Sequence, residues 1–149
     1  MEDLERILRK HPFLEDLDPE HVKLIVGCAK NLRFQPGEYL SHEGDEEASL
    51  FLIRRGTVAV EAQGPGGQAT CIETLMPGDV MGISWIAPNK AHFDCRARDT
   101  VHAFSLDAQC LLKKMNEDPA LGFALTTRLL DNTHERLSRL RLQQLDVYR

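Results

Sequence analysis

FQPGEYLSHEGDEEASLFLIRRGTVAV, residues 34–60, decides how the rest of the chain is read. Turn signals stand at Gln35-Pro36-Gly37, Glu43-Gly44-Asp45 and Arg55-Gly56. The runs between them, Leu50-Phe51-Leu52-Ile53 and Thr57-Val58-Ala59-Val60, are strand-length and rich in strand-favouring side chains. The pattern continues through Gly64–Gly67, Thr70-Cys71-Ile72-Glu73-Thr74-Leu75, Pro77-Gly78-Asp79 and Pro88-Asn89. Short strands with turns about every 8–12 residues predict an all-β sandwich or jelly roll. The Gly64–Gly67 tract is too short for a linker and reads as a hairpin tip.

Working outward, the period changes to that of helices. Upstream, Asp18 is an N-cap with Pro19 at the first helical position, and Val22, Ile25, Val26 and Ala29 form an apolar face. His11-Pro12 separates this helix from a short one carrying Leu4, Ile7 and Leu8. Downstream, Asp107 caps a helix through Met115, and Asp118-Pro119 opens a long final helix from Ala120 to about Tyr148. The predicted fold is therefore mainly β: a double-stranded β-helix (jelly roll) flanked by N-terminal helices and a long C-terminal helix. Residues 1–149 form one domain, with helices over 1–30, the jelly roll over 31–106 and helices over 107–149.

Composition narrows the function. With 149 residues, 42% hydrophobic and 28% charged, the chain has the makeup of one ordinary soluble domain. A net charge of −5 argues against a general nucleic-acid binder. No apolar run approaches the roughly 20 residues of a membrane span, and MEDLERILRK lacks a signal-peptide core, so a cytoplasmic protein off the membrane is expected. Cys28, Cys71, Cys95 and Cys110 form no CxxC pair and no cluster for iron–sulfur ligation, and are read as buried free thiols. No Gly-x-Ser-x-Gly elbow, P-loop or dinucleotide fingerprint appears, so no enzyme is expected. A cupin-like metal enzyme is a remote alternative. His11, His21, His42, His92, His102 and His134 lack the closely spaced pair such a site needs, and no metal ligands are assigned.

The Pro-Gly-Glu, Glu-Gly-Asp and Arg-Gly-Thr-Val elements, in that order between HPFLEDLDPEHVKLIV and RARDTVHAFSLD, resemble the cyclic-nucleotide-binding domain of catabolite-activator-type (Crp/Fnr-like) regulators. The resemblance covers nearly the whole chain. It places the ligand cassette at residues 78–99, GDVMGISWIAPNKAHFDCRARD. In the family a short helix after Gly-Glu-Leu offers its N-terminus to the cyclic phosphate, the glutamate binds the ribose and an arginine neutralises the phosphate. Here Gly82 is kept, but Ile83 stands at the glutamate, Ser84 at the leucine and Ala91 at the arginine, followed by His92.

Each lost charged hydrogen bond is worth roughly 1.5–3 kcal/mol, so the pair accounts for about two to four decades of affinity. A cyclic nucleotide is thus disfavoured and no cofactor is assigned. The candidate ligand site is the degenerate cassette: Gly82, Ile83, Ser84, Trp85, Lys90, Ala91 and His92. Ser84 offers a hydroxyl, Lys90 and His92 some positive character, and Trp85 and Phe93 aromatic surface for a small aromatic or amphipathic ligand. The alternative is that Ile83, Trp85 and Phe93 fill the pocket as core. Arg96 and Arg98 alternate with Cys95 and Ala97 and are read as facing solvent, and Glu43, Asp45, Glu46 and Glu47 as a solvated tip.

The final helix has apolar residues on more than one side, so one face is expected on the β-domain and another on a partner. Phe123, Leu130, Leu137 and Leu140, continued by Val147, form the stripe assigned to dimerisation. Leu121, Leu125, Leu129, Leu142 and Leu145 lie elsewhere, and the arginines from Arg128 onward, interleaved with Asp131, Glu135 and Asp146, read as a mixed-charge solvated or coiled-coil flank. The resemblance implies a homodimer through this helix. The chain stops at LQQLDVYR, where the resembling transcription factors continue into a DNA-reading domain, so no direct DNA binding is expected. The expected function is a non-catalytic sensor that takes a small molecule and signals to a separate effector protein. The alternative is a ligand-free structural subunit of a larger enzyme assembly.

Overall fold

The computed structural model describes residues 3–46, 48–83 and 91–147, with only the backbone of Val147. Among the described residues the chain runs through α1 (Leu4–Arg9), a 3-10 turn (Pro12–Leu14), α2 (Pro19–Val26), eight strands and two final helices. The strands are β1 (Ala29–Phe34), β2 (Tyr39–Ser41), β3 (Ser49–Arg55), β4 (Val58–Gln63), β5 (Ala69–Leu75), β6 (Val80–Met81), β7 (Asp94–Ala97) and β8 (Val101–Asp107). The closing helices are α3 (Ala108–Glu117) and α4 (Pro119–Val147).

Local chemistry sets the helix starts. Asp18, Asp107 and Asp118 each accept a backbone N–H of the first helical turn, from Glu20, Cys110 and Leu121 respectively. One boundary differs from expectation: Ala29 belongs to β1 and not to the helical face of α2. Gly27 caps the helix, and Ala29 already pairs with Leu106.

The strands form two antiparallel four-stranded sheets, β1-β8-β3-β6 and β2-β7-β4-β5. β3 is covered on both faces, Leu50 and Leu52 by one cluster and Phe51 and Ile53 by the other, which explains why Leu50–Ile53 is apolar without alternation. Leu50 and Leu52, with Phe104 and Leu106, pack on Leu8, Val22 and Ile25 from the N-terminal helices and on Leu111, Leu121, Leu125 and Leu129 from α3 and α4. Ile53, Val101 and Ala103 point the other way and join Val58, Val60, Leu75, Cys95 and Ala97 of the second sheet.

The cysteines correct the sequence reading. Cys28 and Cys110 form a disulfide with a Cα–Cα distance of 5.7 Å, stapling the end of α2 to α3. Spacing along the chain could not reveal a pair that folding brings together. Cys71 is exposed, and only Cys95 matches the expectation of a buried thiol.

Candidate functional site

Gly82 anchors the expected cassette. Its φ is +86°, and a Cβ there would collide with the carbonyl oxygen of Ser49 on β3. Glycine is required because β6 crosses β3 too closely for any side chain. Residues 84–90 lie outside the described segment, so Ser84, Trp85 and Lys90 receive no structural account. The chain is described again at Ala91, which is pinned from both sides: its N–H donates to the Asp45 carbonyl at 2.9 Å and its carbonyl accepts from Gly44 N–H at 2.8 Å. The Glu43-Gly44-Asp45 turn is thus an anchor for the cassette. Asp94 strengthens it by accepting the Glu43 N–H at 2.8 Å.

Between the second sheet and α4 lies a cavity of about 330 Å³. Gly82, Ile83, Ala91 and His92 line it, so four of the seven candidate ligand residues converge there. Val60, Leu75 and Met81 provide its floor, while Thr133, Arg136, Leu137 and Leu140 reach it from α4. Phe93 also borders the space but is 42% exposed, which removes it as a core filler. Ile83 is half-buried and packs against the main core.

The sequence reading missed the charged pair in this wall. Arg136 Nε and Nη2 donate to Glu73 Oε2 and Oε1, both at 2.9 Å, and Nη1 donates to the Val80 carbonyl at 3.0 Å. Burial works to lower the Arg136 pKa, but the hydrogen bonds and charge of Glu73, helped by Asp79, raise it. The guanidinium is therefore a fixed cation already matched by a carboxylate. One turn on, Arg139 Nη2 bonds Asp79 Oδ1 at 2.9 Å, while Asp79 Oδ2 accepts Met76 N–H at 2.9 Å. The sequence places Arg136 in a solvated flank, whereas its side chain is only 18% exposed. Its spacing of three and four residues from Thr133 and Leu140 was the available signal.

Elsewhere the expectations divide. Arg98 is exposed, while Arg96 bonds Glu61 at 2.7 Å. Phe123 and Leu130 are 76% and 70% exposed, and Leu142 and Leu145 are exposed too. Leu121, Leu125 and Leu129 are instead buried in the domain core. Leu137 and Leu140 belong both to the proposed dimer stripe and to the cavity wall. Among the described residues, no group of three or more His, Cys, Asp or Glu side chains could hold a metal ion, and no helix is long and apolar enough to cross a membrane.

This architecture matches the family model for the cyclic nucleotide-binding domain over residues 31–118. The chain belongs to that family. It is 28% identical over 117 residues to cyclic nucleotide-gated ion channel 18 of Arabidopsis thaliana, covering 70% of this chain and 16% of the channel. The chain thus spans about a sixth of that relative's length. A cyclic nucleotide-binding domain from Methylobacillus flagellatus superposes with a TM-score of 0.80 at 23% identity, covering 96% of this chain and 81% of that one. The regulatory subunit of a cAMP-independent protein kinase A from Trypanosoma cruzi, solved bound to guanosine, superposes with a TM-score of 0.64 at 27% identity. That match covers 80% of this chain and 47% of the kinase subunit. The fold is therefore that of a cyclic-nucleotide-binding regulatory domain.

Proposed function

We propose that this chain is a non-catalytic ligand sensor whose cavity takes an uncharged, nucleoside-like molecule and not a cyclic nucleotide. The observation that carries the reading is the charge balance of the wall. Ile83 and Ala91 stand where the sequence resemblance puts the family's ribose and phosphate partners, both line the cavity, and the arginine facing it, Arg136, is neutralised by Glu73. A phosphate entering there would find no unpaired cation among the described lining residues and would lose its hydration. An aromatic, phosphate-free ligand would instead gain from the apolar floor, His92 and Phe93. The guanosine bound to the Trypanosoma cruzi relative supports the same ligand class.

The route outward is α4. Leu137 and Leu140 border the cavity while sharing a helix with the exposed Phe123 and Leu130. Paired with a second copy, this helix would carry ligand occupancy to the dimer seam and then to a separate effector protein.

Thermal shift against a panel of guanosine, adenosine, inosine, cAMP and cGMP tests the proposal, because a ligand specific to the folded state raises the melting temperature. A rise with at least one nucleoside, and none with cAMP or cGMP at equal concentration, is expected. Saturable cAMP binding at micromolar concentration would overturn it. Silence across the panel would favour the ligand-free structural subunit.

A further inference from the structure

We propose that a second site, the groove between α1 and the end of β3, docks an acidic segment of a partner protein. The groove holds about 400 Å³ and shares no lining residue with the cavity under α4. Lys10 closes one side, Arg54 and Arg55 the other, and the partly exposed Ile7 and Pro12 supply apolar surface between them, with the buried Phe104 beneath Arg54. No carboxylate lines it among the described residues, although the chain as a whole carries a net charge of −5.

These cations are not consumed internally. Arg54 lies over the Phe104 ring, 5.0 Å from its centroid, with one nitrogen 3.5 Å from Asn31 Oδ1, and so is positioned without being neutralised. Lys10 and Arg55 are exposed and pair with no carboxylate among the described residues. Asp79, the carboxylate that acts on the neighbouring His11, is already engaged by Arg139 and Met76 N–H. The positive band continues across the sheet, since His102 is in register with Arg33 on one side and Arg55 on the other. His102 is held below its ordinary pKa first by burial and then by the charges of Arg33, Arg55 and Arg54.

Cations on two elements, separated by apolar side chains, fit an extended segment that alternates carboxylates with apolar residues. Electrostatic attraction would set the rate and orientation of docking, and the apolar floor would supply retention.

The probe is acetyl-Glu-Phe-Glu-Leu-Glu-amide, titrated at low ionic strength into the full, isotope-labelled chain. Amide shifts confined to the groove, at Ile7, Lys10, His11, residues 53–56 and Gly78, and to His102 at its margin are expected. The Lys10→Gln/Arg55→Gln variant should bind about tenfold more weakly, from roughly threefold per exposed contact. Both side chains lie outside the core, so its fold should be intact. Arg54→Gln gives a second reading where the cation–π contact is also lost. Unchanged affinity in the double variant, shifts scattered over the surface, or equal binding of the lysine analogue would overturn the proposal. So would saturation of the same shifts by inorganic phosphate, or binding only to phosphatidylserine vesicles.

Discussion

Arg136 lays its guanidinium along the carboxylate of Glu73, each oxygen taking one N–H at 2.9 Å, across 63 positions of sequence. The pair ties α4 to β5 at the rim of the cavity. Its exposure is low, 18% for Arg136 and 13% for Glu73, so removing one partner strands the other. Arg136→Met should cost about 2–3 kcal/mol in urea unfolding. In a double-mutant cycle with Glu73→Gln, a coupling of about 1 kcal/mol or more is expected. Strict additivity would show that the pair holds nothing.

The Cys28–Cys110 staple closes a segment of 82 positions. Cys110→Ser should lower unfolding stability by about 2–4 kcal/mol under oxidising conditions. Reductant should produce a similar loss in the wild type and none in the variant. Equal stability of oxidised wild type and variant would refute the staple.

His11 supplies an acid sensitivity. It is buried, its Nε2 is 2.7 Å from the Ile53 carbonyl, and its Nδ1 accepts Phe13 N–H at 3.1 Å. Those two bonds require the neutral ring with its proton on Nε2. Burial holds the pKa below 6.5, with Arg54 pushing the same way, against the Ile53 bond and Asp79. The unfolded chain therefore binds the proton more readily, and the stabilisation, complete above about pH 6.5, is lost as pH falls. His102, also held low, adds in the same direction. His11→Gln should flatten, though not abolish, the fall in melting temperature between neutral and mildly acidic pH. An identical pH profile would contradict the assignment.

The dimer stripe separates into two parts. Leu130 is 70% exposed and lines no cavity, so Leu130→Asp should yield a monomer that still responds to nucleoside. Leu137 also borders the cavity, so Leu137→Asp should yield a monomer that has lost its response to nucleoside. Sedimentation velocity decides the first point; the same mass for wild type and both variants would exclude pairing through this face.

Restoring the cassette tests the ligand argument in reverse. Ile83→Glu with Ala91→Arg should tighten cAMP binding by about two decades or more, read by calorimetry. No gain in a folded double variant would mean that the cavity rejects cyclic nucleotides for some reason other than these two positions.

What was legible in the sequence was local. Asp18, Asp107 and Asp118 mark helix starts because a capping side chain reaches only two or three residues ahead. Gly82 is readable because its left-handed backbone excludes side chains. Arg136–Glu73 and Cys28–Cys110 were not legible, since each is made by the stacking of distant elements. Phe93 was legible only as one of two alternatives, ligand surface or core filler, because its exposure depends on how the chain enters β7 beside the cavity.

Beyond Leu140 every described side chain of α4 is exposed. From the clasp at Arg136 to the last turn is a stiff rod of about 16 Å, at 1.5 Å per residue. Pivoting it by about 10° would swing its tip by about 3 Å. A ligand that does no more than nudge Leu137 would thus be read at the far end as a displacement the width of an atom.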